Sequence, residues 1–291
     1  MNTHPCNLCG SQSAGFVLNS DRLEGPLFKC NFCGLYFVHS DREKETAPVE
    51  MERLAERARD LSLVEPEVEQ GENPWRRITA AERLRDLSEK TGLKEGDLLE
   101  IGSSTGEFLE AAEIRFRAFG VEADEAANAI AVSKGMSAFH GTVFDAGFAD
   151  HRFDVAAMYH VIEHFPDPLA VMKELSRVIK PGGWLAIETP DIDNIWFRLL
   201  GSGWRQFIPD HVYFFTTATL GLLCEKTGFE VVSHSHVPKS MSLRLFISRV
   251  GRYNHTVSSL LSILARAFSL EESTLRLNPR DVLRIYARRR S

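Results

Sequence analysis

The sequence predicts an α/β fold with a mainly parallel sheet and a small cysteine-rich unit near its N-terminus. Three observations support this prediction. From residue 97 onward, short apolar runs alternate with amphipathic patterns of helical period. The run 97–101 ends in a turn that contains Gly102, Ser104 and Gly106, and four of the five cysteines form two CxxC pairs within the first 40 residues. Apolar strands separated by helices are typical of a sheet covered on both faces.

Composition sets limits on the class of protein. The 291 residues are 44% hydrophobic, which is enough for one large core and an attached unit. The formal net charge of −6 argues against a general nucleic-acid binder. The N-terminus has no basic start followed by an apolar stretch, and no apolar run approaches the roughly 20 residues that cross a bilayer. We therefore expect a cytoplasmic protein.

Residues 1–40 are predicted to form a zinc ribbon. Its ligands would be Cys6, Cys9, Cys30 and Cys33, and a glycine that suits a tight turn follows each pair. Four thiolates at this spacing close a tetrahedral zinc site with no open position, so the metal would be structural. A redox dithiol is the alternative, although no βαβ redox pattern surrounds either pair.

Residues 41–72 contain eleven Asp and Glu against five Lys and Arg. Apolar positions at helical spacing in the middle of this segment predict an acidic linker that contains a helix. Asn73 and Pro74 then favour the start of a helix that ends at Thr91-Gly92, because Asn caps helices and Pro suits the first turn.

The elements after residue 96 follow in order. Strands are predicted at 97–101, 118–122, 138–140, 153–159 and 184–189, and helices at 105–117, 124–134 and 167–179. A strand is also expected after Gly228, a helical segment at 241–269, and a last strand in DVLRIYARR. Residues 239–291 contain 11 Lys and Arg against 3 Asp and Glu, a net +8 on a body that is otherwise acidic.

The turn after strand 97–101 carries the clearest chemical signal. A strand that enters a glycine-bearing turn and then a helix brings backbone amides against nucleotide-like ligands. Twenty residues after Gly102, Glu122 ends the next strand, where a carboxylate can accept both hydroxyls of a ribose. Asp124 is expected to cap the following helix.

Five segments in register extend this signal: LLEIGSSTGEF, FGVEADEAANAIAVSKG, FDVAAMYHVIEHFPDP, LSRVIKPGGWLAIETPD and DHVYFFTTATLGLLCEKTGFEVV. With them, residues 97–291 resemble the class I S-adenosylmethionine-dependent methyltransferases. The resemblance implies S-adenosyl-L-methionine as methyl donor and a Rossmann-like, seven-stranded, mostly parallel sheet whose last strand is antiparallel. The methyltransferase domain would span 73–291, with 241–269 inserted before the last strand.

The resemblance also implies a donor site. The methionine part of the donor would cross the turn, with Glu100 near its amino group and Glu122 on the ribose. The full set is Glu100, Gly102, Ser104, Gly106, Glu122, Thr142 and Val143, the last two contributing backbone near the adenine. A nicotinamide-dinucleotide domain is the alternative, because it shares the turn and the acid.

A methyl acceptor with an oxygen or acidic carbon must lose a proton, and histidine is a natural base near neutral pH. The candidates are His164 and His211. The segment around His211 and the ribbon are similar to zinc-containing deoxysugar C-methyltransferases, and this likeness implies that Asp210 orients His211. For His164, a loop-shaping role and a divalent metal held with His160 and Glu163 stay open, the latter from a resemblance to quinone-head O-methyltransferases.

Aromatic residues crowd the connection after strand 184–189. This density suits a lid over an acceptor pocket, and Trp204 and Tyr213 are the predicted acceptor contacts, with packing of a long loop as the alternative.

These features together predict methyl transfer to a small acceptor, a sugar or another hydroxylated or carbonyl metabolite, at oxygen or carbon. One alternative is an RNA methyltransferase that docks RNA through the ribbon, although the ribbon has no basic stripe. Another is a non-catalytic, partner-binding relative of the fold. Segment 241–269 could contact a membrane surface through its apolar and basic faces. The sequence predicts no oligomeric state.

Overall fold

The computed structural model describes residues 5–39, 74–251, 254–268, 270 and 273–291. The predicted acidic linker at 41–72 and the Asn73 cap lie outside these residues. The chain divides into two compact units, one comprising Met1–Ser235 with Asp281–Ser291 and the other His236–Arg280.

The first unit begins with a small antiparallel sheet in the ribbon. Its strands, numbered here along the chain, are β1 (Ala14–Leu18), β2 (Leu27–Cys30), β3 (Tyr36–Val38) and β9 (Tyr213–Phe214). The last of these follows more than 170 residues later in the chain, and it pairs Tyr36 with Phe214 and Phe37 with Tyr213. The ribbon sheet therefore continues directly into the segment that follows His211, a pairing that the sequence did not predict.

The central sheet has seven strands among the described residues. They are β4 (Asp97–Ile101), β5 (Arg117–Glu122), β6 (Ala138–His140), β7 (Phe153–Tyr159), β8 (Ile179–Pro190), β10 (Phe229–His236) and β13 (Val282–Arg289), in the spatial order β10-β13-β8-β7-β4-β5-β6. Strand β4 pairs in parallel with both β5 and β7, and β13 runs antiparallel to β8. The predicted seven-stranded α/β fold with an antiparallel last strand is confirmed.

The first unit also has six α-helices among the described residues. They are α1 (Pro74–Thr91), α2 (Glu107–Ala112), α3 (Glu125–Ser133), α4 (Pro168–Val178), α5 (Ile195–Leu200) and α6 (Thr217–Lys226), with 3₁₀ turns at Ile162–His164 and Gly201–Gly203. Leu175 of α4 and Leu220 of α6 pack on one apolar cluster, and Leu87 of α1 and Phe108 of α2 pack on the other. The Asp124 side chain accepts a hydrogen bond of 2.7 Å from the Ala127 amide, which confirms its predicted capping role.

The aromatic connection after β8 is packed, as in the alternative to a lid that the sequence left open. Its side chains form an apolar cluster with residues of the ribbon: Leu23, Leu27, Val38, Ile192, Trp204, Phe207 and Phe214. Because burial of aromatic side chains is strongly favourable, this cluster fastens the ribbon to the same unit as the central sheet. A lid interpretation is not supported for the cluster residues.

The second unit contains β11 (Lys239–Ser242), α7 (Leu243–Gly251), α8 (His255–Ala267) and β12 (Thr274–Leu277). The strands pair antiparallel, with Ser242 opposite Thr274. The sequence predicted helix throughout 241–269 and neither strand, whereas the structure has two helices framed by a strand pair. Among the described residues, no helix combines the length and apolar character that a membrane span requires.

Candidate active site

The turn after β4 forms one wall of the candidate site, at the carboxyl ends of the parallel strands. Gly102 has φ 71° and Gly106 has φ 87°, in the left-handed region that favours glycine. A Cβ atom on Gly102 would lie 2.4 Å from Val161 Cγ2, so the chain also passes too close for a side chain. Ser104 adopts φ 48°, which completes a sharp bend into α2.

Glu122 at the end of β5 holds this turn in place. Its Oε2 accepts a hydrogen bond of 2.7 Å from the Ser104 amide, and its Oε1 accepts one of 2.8 Å from the Asp124 amide. Each carboxylate oxygen retains a second lone pair. The geometry thus leaves Glu122 able to accept two hydroxyl groups as well.

Glu100 lies near the end of β4 and is 4% exposed. Burial raises the pKa of its carboxyl group to about 8, against the opposing effect of Arg83. Its Oε2 has no hydrogen-bond partner among the described residues. A buried carboxylate oxygen without a partner suits a cationic group, and the amino group of a methionine moiety has that charge.

Thr142 and Val143 follow β6 on the neighbouring side of the sheet. The Thr142 amide donates a hydrogen bond of 3.0 Å to Asp145 Oδ2, which shapes the loop, and Val143 is buried. The residues predicted to surround a donor therefore lie on successive strand ends of β4, β5 and β6.

The two candidate histidines form an adjacent pair. The His164 and His211 rings have centroids 4.7 Å apart and cross at 68°. His164 Nδ1 lies 3.0 Å from Asp210 Oδ2, whereas His211 Nδ1 lies 2.8 Å from the Gln206 carbonyl oxygen. The predicted orientation of His211 by Asp210 is thus corrected: the carboxylate is paired with His164.

The environments of the two rings push their pKa values in opposite directions. Burial disfavours protonation of His164, but the Asp210 carboxylate outweighs it and raises the pKa to about 9. Burial lowers the pKa of His211 to about 4, and the neighbouring His164 charge adds to this effect. Two titratable groups separated in this way are characteristic of acid–base sites.

Two buried acids, Glu163 and Glu188, form a network next to the histidine pair. Glu163 is completely buried; its Oε2 accepts a hydrogen bond of 2.9 Å from Thr189 Oγ1, and its Oε1 lies 3.9 Å from His211 Nε2. His160 connects the two acids, with Nδ1 3.5 Å from Glu163 and Nε2 3.2 Å from Glu188.

Two arginines neutralise Glu188. Arg83 of α1 donates to its Oε1 at 2.8 Å, and Arg284 of β13 donates to its Oε2 at 2.8 Å. Burial opposes ionisation of Glu188, yet these guanidinium groups hold its pKa well below the usual range. Neither arginine was predicted from the sequence, although the charged Arg284 within the apolar run VLRIY was a signal for a buried partner.

The same cluster has a set of metal-compatible atoms. Glu163, His164 and His211 each offer a ligand atom, and these atoms lie within 4.8 Å of one another. The set considered from the sequence was His160, Glu163 and His164, but both His160 nitrogens face carboxylates. His160 therefore has no ring nitrogen left to bind the divalent metal that the resemblance suggested.

The predicted acceptor contacts, Trp204 and Tyr213, are both buried in the structure. Trp204 has no exposed surface and packs on Phe197 and Phe207, so in this arrangement it forms part of the core. Tyr213 is nearly buried, and its hydroxyl donates a hydrogen bond of 3.2 Å to the Pro166 carbonyl. Their contact with an acceptor stays a prediction.

The four N-terminal cysteines converge on one point. Cys6 and Cys33 have sulfur atoms 3.5 Å apart, as have Cys9 and Cys30, and all four sulfurs lie within 4.8 Å of one another. The edges of a tetrahedron with zinc–sulfur bonds of about 2.3 Å are close to these separations. The chemistry and spacing of the donors suit a tetrahedral metal, and all four cysteines are free.

Comparisons with known proteins agree with this geometry. Residues 74–234 match a family model described as a methyltransferase domain. A ubiquinone biosynthesis O-methyltransferase from Cereibacter sphaeroides is 32% identical over 168 residues, which cover 53% of this chain and 68% of that protein.

A second relative, from Mycolicibacterium smegmatis, is described as an S-adenosylmethionine-dependent methyltransferase. It is 31% identical over 140 residues, which cover 46% of this chain and about half (52%) of that relative. Among solved structures, a candidate sarcosine dimethylglycine methyltransferase from Galdieria sulphuraria matches with a TM-score of 0.50 and 16% identity, covering 73% of this chain and 86% of that one. The structural match concerns the fold alone.

Proposed function

We propose, from the premise that this chain belongs to the class I S-adenosylmethionine-dependent methyltransferases, that it methylates a small hydroxylated or carbonyl-bearing metabolite with His164 as general base. The observation that carries the proposal is the 3.0 Å contact between His164 Nδ1 and Asp210 Oδ2. His164 follows strand β7, which is paired with β4, the strand that leads into the glycine turn. The kinship with an O-methyltransferase supports oxygen as the methylated atom.

The donor would be held by the strand ends described above. The unpartnered Oε2 of Glu100 would receive its amino group, and Glu122 would accept the ribose hydroxyls. When bound, S-adenosyl-L-methionine supplies a methyl group already activated on a sulfonium. The protein has two remaining tasks, which are to align the acceptor and to take its proton.

His164 is better arranged than His211 for the second task. Its side chain is 20% exposed, and Asp210 engages Nδ1, which leaves Nε2 to receive a proton from the acceptor. The Asp210 carboxylate then stabilises the imidazolium that forms. With a pKa of about 9 the His164 ring is mostly protonated near pH 7, so its base form, and with it the rate of methyl transfer, should increase as the pH rises toward 9.

His211 would serve a positioning role in this scheme. It is only 4% exposed, and its low pKa keeps it neutral near pH 7, with Nδ1 donating to the Gln206 carbonyl. A neutral ring packed against His164 limits the directions in which that ring can move.

The ribbon cysteines Cys6, Cys9, Cys30 and Cys33 would bind a structural Zn²⁺. Backbone amides of Leu8 and Cys9 approach the Cys6 sulfur, as expected in a knuckle around a thiolate metal site. Because β3 pairs with β9, the metal would also support the segment that carries Asp210 and His211.

Labelled methyl donor tests the proposal. The protein is incubated with donor and cell extract, which is then separated into small-molecule, lipid and RNA fractions. We expect label in the small-molecule fraction, at least about 100-fold less with His164→Ala, and no change with the exposed control His234→Ala. Label in RNA would favour the RNA alternative, and no label in any fraction would favour the partner-binding one. Undiminished transfer by His164→Ala would remove His164 as the base.

A further inference from the structure

Helix α8 of the second unit carries an apolar stripe on its surface. Val257, Leu260, Leu264 and Phe268 recur at the spacing of one helix face, and their exposed fractions are 43%, 58%, 55% and 69%. Ile263 beside them is 64% exposed. Single exposed apolar residues are common, but five in one helix and its cap form a continuous patch, which in proteins marks an interaction surface.

The stripe is separate from the residues that hold the two helices of this unit together. Ile247 of α7 and Ala265 of α8 are buried, and Ser258 lies against Gly251, where a Cβ would meet its Oγ at 3.0 Å. On a helical wheel, Ser258 and Ala265 lie toward the side away from Leu260 and Ile263. The contact between the two helices therefore lies on a different side of α8 from Leu260 and Ile263, which stay 58% and 64% exposed.

The second unit, which carries the stripe, has a strong excess of positive charge. Residues 236–280 contain seven Lys and Arg against two Asp and Glu, and neither α7 nor α8 contains an acidic residue. Arg244 on α7 and Arg266 on α8 are exposed. An apolar stripe within a basic surface is complementary to a bilayer whose headgroups are anionic.

We propose that α8 rests on an anionic membrane, with Leu260, Leu264 and Phe268 inserted at the boundary of headgroups and acyl chains and the net positive charge of the unit attracting the anionic headgroups. A face-to-face pair of these units fits the surface less well, because each unit has a net charge of +5 and the two would repel each other. The proposal concerns location at a membrane surface and does not depend on methyl transfer.

Vesicle sedimentation tests this proposal with a matched pair of variants. The full-length protein is mixed with vesicles of phosphatidylcholine that contain about 30% phosphatidylglycerol. The stripe variant is Leu260→Asp with Leu264→Asp. The control is Ile114→Asp with Leu199→Asp, which adds the same charge at residues that are 79% and 70% exposed in the first unit.

We expect wild type and control to bind, the stripe variant to bind at least about tenfold more weakly, and added salt to weaken wild-type binding. Circular dichroism and donor titration establish that each variant is folded. No vesicle binding by wild type, or equal binding by the stripe variant, would overturn the proposal. If wild type forms dimers that the stripe substitutions convert to monomers, and does not bind vesicles, the stripe is a self-association surface instead.

Discussion

The Asp210 carboxylate lies 3.0 Å from His164 Nδ1, although these residues are 46 positions apart in the chain. His211, which follows Asp210 directly, instead turns its Nδ1 toward the Gln206 carbonyl. This arrangement gives one histidine a raised pKa and its neighbour a lowered one. The consequences for stability can be measured before the acceptor is known.

Acid should destabilise the protein partly through His211. Its pKa is about 4 in the folded protein and close to 6.5 in the unfolded chain, so between these values only the unfolded chain binds a proton. As pH falls from 7 to 5, wild type should lose about 2 kcal/mol more unfolding free energy than His211→Gln. Urea titrations at both pH values measure this, with His234→Gln as an exposed control. An equal loss in wild type and His211→Gln would contradict the buried, neutral state.

Gly102→Ala should weaken both the fold and the donor site. The new Cβ would meet Val161 Cγ2 at 2.4 Å, and φ is already 71°. Gly135→Ala is the control, because φ is 89° there but no atom lies within 4 Å. We expect a loss of about 1 kcal/mol for the control from φ alone, and about 1–3 kcal/mol more for Gly102→Ala, with weaker donor binding. Calorimetry with S-adenosylhomocysteine and urea unfolding report the two effects; similar results for both variants would refute a tight turn.

Glu188→Gln should destabilise the protein strongly. The substitution leaves the buried Arg284 and the partly buried Arg83 without their shared carboxylate, which costs about 3–5 kcal/mol at buried pairs. The control Asp193→Asn breaks the exposed pair with Arg198, and we expect a change under about 1 kcal/mol. Chemical denaturation compares the two variants. A small effect at Glu188 would mean that solvent reaches the arginines in the folded protein.

Removal of the ribbon metal should disturb the histidine pair. Strand β3 pairs with β9, and the Val38 amide donates a hydrogen bond of 2.8 Å to the Val212 carbonyl, next to His211. We expect one zinc per chain in wild type, none in Cys9→Ser, and faster amide exchange in β3 and β9 of the variant. Metal analysis with hydrogen exchange tests this. A metal-free wild type, or unchanged exchange around His211, would contradict the coupling.

Local sequence patterns were sufficient for most of the central sheet. The predicted strands 97–101 and 153–159 agree with β4 and β7 to the residue, because each is a mainly apolar run bounded by polar or glycine residues. The short strand expected near 138–140 agrees with β6. The buried face of α1 is harder to predict, because Ile78 is 41% exposed whereas the smaller Ala80 is buried. Positions at the edge of a helix stripe depend on the neighbour that covers them.

Long-range contacts could not be predicted from the sequence. Strand β9 has two residues and therefore no period, and its partner β3 lies more than 170 residues away. An aromatic-rich segment such as the one around Trp204 is expected both in a lid and in a core cluster, so the sequence does not distinguish the two. Similarly, the position of Asp210 beside His211 in the chain suggested a pair that the fold separates.

The central claim is that Asp210 sets the basicity of His164. Its most direct test is the pH dependence of kcat/KM for methyl transfer, measured with the acceptor that the labelling experiment identifies. For wild type we predict a rising limb with an apparent pKa of about 9. Asp210→Asn should move this limb to the ordinary histidine range near about 6.5 or below and lower the maximal rate, with donor affinity unchanged. A limb at the same pH in both proteins would contradict the account.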